Sequence, residues 1–156
     1  MFKTILYPVV NRRVLQPLMR MTRGMTLGVR TVVSDGDGKL LVVRQSYTGG
    51  WIFPGGGVER GELPMAAARR ETMEEAGVEL RGEISLHGLY SNHAHFPGDY
   101  VAVYLAHDYV QHDWKPSLEI SACAFLTPDE IKADCSDAML RRIDELSGTT
   151  NKSDTW

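Results

Sequence analysis

The sequence predicts a single domain of the α/β or α+β class, and three observations carry that reading. Runs rich in β-branched residues alternate with helical stretches along the chain, as they do when strands and helices cover a common core. A length of 156 residues suits one compact domain. A composition of 43% hydrophobic and 24% charged residues is that of an ordinary globular protein able to bury such a core.

The elements follow in order. Thr26 to Val33 is β-branched and reads as a strand. Asp35-Gly36-Asp37-Gly38 is a turn, and Leu40 to Arg44 reads as the strand returning from it, which predicts a hairpin. Trp51 to Phe53 is a short extended piece, stopped by Pro54 and the glycines at 55, 56 and 57. A helix is expected from Pro64 to Ala76, with Pro64 near its first position and Gly77 just past its end. Val78 to Tyr90 and Tyr100 to Ala106 read as strands, separated by a polar loop from Ser91 to Asp99. Ile120 to Leu126 is a further strand, and Asp129 to Ala133 and Asp137 to Leu146 are helical. The tail from Ser147 to Trp156 has little to bury and is expected to fray.

The net charge of -3 hides an asymmetry. No acidic residue precedes Asp35, whereas Lys3, Arg12, Arg13, Arg20, Arg23 and Arg30 all do. Residues 1 to 25 therefore form a basic extension, expected to be helical in part, although Pro8 and Pro17 punctuate it. It reads as a docked helix with a solvated cationic face, an arm for an anionic surface, or a targeting peptide. No apolar run approaches the roughly 20 residues that span a bilayer. Cys123 and Cys135 are the only cysteines and make no Cys-x-x-Cys, so a reducing, cytoplasmic setting is the simpler expectation. A homodimer is compatible with the sequence, which does not set the oligomeric state.

The chemistry concentrates in the stretch from Gly55 to Val78. On the expected helix Glu71, Glu74 and Glu75 stand at i, i+3 and i+4 and share one face. Met65, Ala68, Thr72 and Ala76 fall on another face that can pack on the core. Three neighbouring like charges repel, and they sit in the last turns, where the helix dipole is already negative. A divalent cation reverses the sign of each of these effects, and hard carboxylate oxygens are what Mg²⁺ and Mn²⁺ prefer. The bland alternative is a solvated acidic face paired with Arg69 and Arg70. The glycine turn ahead of the helix, where bare main chain can approach a metal or phosphate, favours the metal.

This stretch resembles the signature of the Nudix hydrolases, G-x5-E-x7-R-E-U-x-E-E-x-G-U with U bulky and aliphatic. It runs here through Gly56, Glu62, Arg70, Glu71, Thr72, Glu74, Glu75, Gly77 and Val78. Thr72 departs from the pattern by occupying a U position. Its shape is close to that of Val, and its hydroxyl is expected to bond back to the Ala68 carbonyl. Trp51-Ile52-Phe53-Pro54 before the signature, and Glu119-Ile120 and the Pro-Asp-Glu helix start after it, are also similar to the family. The resemblance covers residues 26 to 146 and leaves residues 1 to 25 unexplained.

The resemblance implies a Nudix-like α/β/α sandwich with a mixed β-sheet, and a Mg²⁺-dependent hydrolase, with Mn²⁺ as an alternative ion. The bond cleaved would be a phosphoanhydride in a nucleoside diphosphate linked to another moiety. It makes Glu74 and Glu75 metal ligands and Glu71 a ligand or the group that orients the attacking water. The Gly55 carbonyl would complete the metal site, with Glu119 as a further ligand. Gly56, Glu62, Arg70 and Gly77 take structural roles, the arginine steering the glutamates by charge-assisted bonds. A general base from the loop is sought among His93, His95 and Asp99.

The partner of such a site is a nucleotide-type small molecule, and nothing reads as a nucleic-acid motif. Arg44, Trp51, Phe53, His93 and His95 are the expected substrate-binding residues. Alternation puts Trp51 and Phe53 on one side of their strand, near the phosphates. Tyr47, Trp51, Phe53, Tyr90 and Phe96 could equally stack a base or fill the core. Two other readings stay open: a nucleotide-sensing module with weak catalysis, and an RNA-end pyrophosphohydrolase that uses the basic extension on phosphates.

Overall fold

The computed structural model describes residues 24–156, so the basic extension, up to residue 23, lies outside the described residues. The described elements run β1 (Thr26–Val33), β2 (Leu40–Gln45), α1 (Pro64–Ala76), β3 (Val78–Leu80), β4 (Ser85–Ser91), β5 (Asp99–Ala106), β6 (Tyr109–Gln111), β7 (Ile120–Leu126), α2 (Pro128–Lys132) and α3 (Asp137–Leu146). Among them, no helix is long and apolar enough to cross a membrane.

The sheet is mixed. β5 lies between β1, to which it runs parallel, and β4, to which it runs antiparallel. β2 pairs antiparallel with β7, and β3 with β6. Alternation along these strands feeds two cores. Val29, Val33, Leu41, Val43, Ala102 and Tyr104 face Ala67, Ala68 and Ala76 of α1. Val32, Val42, Val101 and Val103 face Ile131, Met139 and Ile143 of α2 and α3. The result is the α/β/α sandwich expected, with α1 on one face and α2 with α3 on the other.

The hairpin between β1 and β2 is a correction. A single bridge joins Ser34 and Leu40, and the two strands then part to different neighbours. The turn is as expected, since Asp35 accepts from the amides of Asp37 and Lys39. The free edge of β1 is covered instead by residues 54 to 58: the amides of Val29 and Thr31 donate to Gly56 and Pro54, and that of Val58 to Leu27. The strand expected over Val78 to Tyr90 is two strands, broken where Gly82 takes a left-handed φ of 57°. β6 was not foreseen, because three residues carry too little pattern to read.

The tail is also a correction. Rather than fraying, it lies along β4: the Ser91 amide donates to Asp154, and that of Trp156 to Ser91. The cause is Arg142 of α3, whose side chain is fully buried. It donates to the Thr155 carbonyl at 2.9 Å, Glu145 at 2.7 Å and Ser153 Oγ at 3.0 Å, and it stacks 3.8 Å from the Tyr90 ring centroid. Glu145 in turn accepts from the Tyr90 hydroxyl. In the sequence this arginine and glutamate look like any solvated i, i+3 pair.

Candidate active site

α1 is built to hold its acidic face at one place. Pro64 starts it, with φ already fixed by its ring. Gly77 ends it in the left-handed region at φ 64° and donates to the carbonyls of Met73 and Thr72. Further donors meet the end carbonyls: Trp114 Nε1 reaches Glu75 at 2.7 Å, and the His112 amide reaches Gly77 at 2.8 Å. Ala68, Thr72 and Ala76 are buried as expected, whereas Met65, in the first turn of the helix, is 48% exposed. Thr72 Oγ1 donates to the Ala68 carbonyl at 2.7 Å, the bond expected of it.

The glycine turn meets that face. A side chain at Gly55 would place its Cβ 2.0 Å from the Val29 carbonyl oxygen, so the main chain approaches β1 as only glycine permits. Its amide donates to Glu75 Oε2 at 2.8 Å. Its carbonyl accepts from Arg30 at 2.7 Å, and the same guanidinium nitrogen reaches the Phe53 carbonyl at 3.0 Å. Arg30 was not among the expected residues. The available signal was a lone arginine in the middle of an apolar strand.

Arg70 gathers the remaining carboxylates. It binds both oxygens of Glu62, at 2.8 and 3.0 Å, then Glu71 at 2.7 Å and Glu74 at 3.3 Å. The bond from Arg70 holds the Glu62 carboxyl down to about 2. Glu75 behaves oppositely. Burial pushes it up to about 6, with Glu71 and Glu119 adding repulsion, while the Gly55 amide and Arg30 oppose the rise. Glu119 is exposed at the start of β7, near enough for its charge to reach Glu75. Among the described residues no group of three or more such side chains forms a ready-made cage. Arg70 and the Gly55 amide hold the carboxylates where they are.

A cleft of about 370 Å³ lies beside the turn, lined by Arg30, Gly56, Gly57 and, from the β4–β5 loop and the tail, Asn92, Phe96 and Trp156. The expected substrate-binding residues are mostly elsewhere. Phe53 is fully buried in the core beneath α2 and α3, which rules out a wall role for it. Trp51 does share its side, but that side faces the same core. Arg44 stacks 4.4 Å over Trp51 and pairs with Asp134 at 2.6 Å, away from the glycine turn. His93 and His95 are exposed and line a neighbouring cavity with Arg141 and Trp156. Asp99 is in the cleft, but its oxygens accept from Thr26 at 2.6 Å and Asn92 at 2.8 Å.

The family model of the NUDIX domain matches residues 24–145. The chain belongs to the Nudix hydrolase family. Its sequence is similar to diphosphoinositol polyphosphate phosphohydrolase 2 of Rattus norvegicus, 41% identical over 85 residues, 54% of this chain and 46% of that one. It is also similar to the RNA pyrophosphohydrolase of Halorhodospira halophila, 40% identical over 55 residues, 35% of this chain and 30% of that one. The chain thus spans about half the length of the first of these Nudix relatives or less. Among solved structures, a Nudix hydrolase from Nitrosomonas europaea superposes with a TM-score of 0.68 at 24% identity, covering 80% of this chain and 90% of that one. The MutT Nudix hydrolase from Burkholderia pseudomallei gives 0.67 at 22% identity, covering 78% and 97%. These two likenesses show the fold.

Proposed function

We propose that this Nudix protein is a Mg²⁺-dependent hydrolase that cleaves a phosphoanhydride bond in a nucleoside diphosphate linked to another moiety. The observation that carries the reading is the meeting of Glu71 and Glu75, on the same face of α1 as Glu74, with the bare main chain of Gly55 and Gly56. A divalent ion fits this donor set. The oxygens are hard, and Glu75 is a half-buried carboxylate whose charge is under-compensated, which a cation corrects. Glu74, Glu75 and the Gly55 carbonyl would hold it, with Glu71 and Glu119 beside them; Mn²⁺ suits the same oxygens.

When bound, such an ion neutralises the pyrophosphate oxygens and acidifies water. The chain's own residues prepare that chemistry. The Gly55 amide fixes the direction of Glu75, and Arg70 fixes Glu71 while Glu62 anchors Arg70. Arg30 supplies a half-buried positive charge beside the turn.

The cleft favours a nucleoside over a polyphosphorylated ring. Among the described residues that line it Arg30 is the one cation, and it is already bonded to two carbonyls. A diphosphoinositol polyphosphate needs several cations for its phosphates, whereas Trp156 and Asn92 offer stacking and hydrogen bonding to a base. The two cysteines are free thiols, which suits the cytoplasmic placement we propose. A phosphate-release screen with Mg²⁺ over sugar nucleotides, ADP-ribose, dinucleoside polyphosphates, dNTPs, triphosphorylated RNA and a diphosphoinositol polyphosphate tests the reading. Turnover of a nucleoside diphosphate derivative above the rest is expected. Preference for the inositol compound or the RNA end would overturn the substrate class.

A further inference from the structure

We infer that Trp156 is a specificity-determining residue, a wall of the substrate cleft that stacks on the base of the nucleotide. The inference deepens the nucleoside reading above and rests on it.

Trp156 lines the same cleft as Gly56 and Gly57, so one bound molecule can touch both the turn beside the glutamates and the indole. The indole is half-buried. Its inner side packs edge-on against Tyr90, with centroids 6.1 Å apart and planes at 65°, and Arg142 lies 5.6 Å from its centroid. Its remaining surface is shared between the cleft and the neighbouring cavity that His93, His95 and Arg141 line. The backbone that carries it is tied down by main-chain bonds to Ser91 and by the bonds from Arg142 to Thr155 and Ser153. A ring fixed in this way loses little freedom when a second ring is laid on it, which is the condition for a stacking platform.

The polar groups beside it are equally fixed. Asp99 accepts from Thr26 Oγ1 and Asn92 Nδ2, so one amide hydrogen of Asn92 is committed and the amide plane is held. Aromatic surface next to an oriented amide matches a planar base with a hydrogen-bonding edge.

Isothermal titration of the full chain with ADP and with inorganic pyrophosphate, both with Mg²⁺, separates the base from the phosphates. Trp156→Leu keeps apolar volume and removes the π face. It is expected to weaken ADP about 10-fold and to leave pyrophosphate within about twofold, while Trp156→Phe stays within about threefold for ADP. ADP binding unchanged in Trp156→Leu, equal weakening of both ligands, or no ADP binding to the wild type overturns the inference. If Trp156→Leu does not fold, the indole N–H resonance of Trp156 in the wild type decides: a ring-current shift on adding ADP supports stacking, and no shift overturns it. Failure of the wild type to hydrolyse any nucleoside diphosphate derivative, with ADP stacking intact, would count against the catalytic reading alone.

Discussion

Gly56 leaves open the space that the Glu71 carboxylate fills. A Cβ at position 56 would lie 2.6 Å from Glu71 Oε1 and 2.7 Å from its Cδ. The atom in the way is the end of a flexible side chain, so the fold can give and the carboxylate has to move. Gly56→Ala is therefore expected to keep the melting temperature within a few degrees and to lower kcat/KM on the order of 100-fold, the cost of about 1 Å of misplacement in a catalytic group. Steady-state kinetics beside thermal melts check this. Wild-type turnover in a folded variant would remove Glu71 from the chemistry.

Glu75 costs the fold stability in return for its position. Its folded pKa of about 6 lies above the ordinary 4.5 because burial disfavours the charge. The folded state therefore holds the proton more tightly than the unfolded chain. The stabilisation from that proton is full below about pH 4.5 and is lost as pH rises through about 6. Glu75→Gln keeps an oxygen for the Gly55 amide and carries no charge. In metal-free buffer at pH 8 it is expected to be more stable than wild type by on the order of 1–2 kcal/mol, with the difference closing near pH 4.5. Added Mg²⁺ is expected to raise the melting temperature of the wild type more than that of the variant. Equal melting temperatures at pH 8 would contradict the burial argument.

Thr72 stands where the family signature wants a bulky aliphatic residue, and its hydroxyl is spent inside the helix on Ala68. Thr72→Val exchanges that hydroxyl for a methyl of similar size at a fully buried site. Turnover is expected to be unchanged and stability to shift by less than about 1 kcal/mol, since the Ala68 carbonyl keeps its helical partner. Denaturant melts and kcat measure both. A sharp loss of kcat in a folded Thr72→Val protein would place the hydroxyl in the site.

The signature helix was legible because local rules agree there: Pro64 at the start, Gly77 at the end and the i, i+3, i+4 glutamates are all short-range features. β1, β2 and β7 were readable for the same reason, from β-branched content and length. What could not be read depends on contacts distant in sequence. The partners of β1 and β2 are set by β5 and β7, so a turn at Asp35–Gly38 did not make a hairpin. Trp51 and Phe53 do alternate as expected, but which side faces the core is decided by α2 and α3, about 80 residues later. Arg30 and Arg142 look like surface charges until carbonyls from other segments close on them.

We propose that the protein hydrolyses a phosphoanhydride with the help of a divalent ion that the α1 glutamates would hold. Its most direct test is the rate of phosphate or nucleotide release by chelator-stripped protein, with and without added Mg²⁺, for wild type and Glu75→Gln on the preferred nucleoside diphosphate derivative. The expected result is turnover that appears only with Mg²⁺ and falls at least about 10-fold in the variant. Turnover that persists in excess chelator, or that is equal in Glu75→Gln, would contradict it.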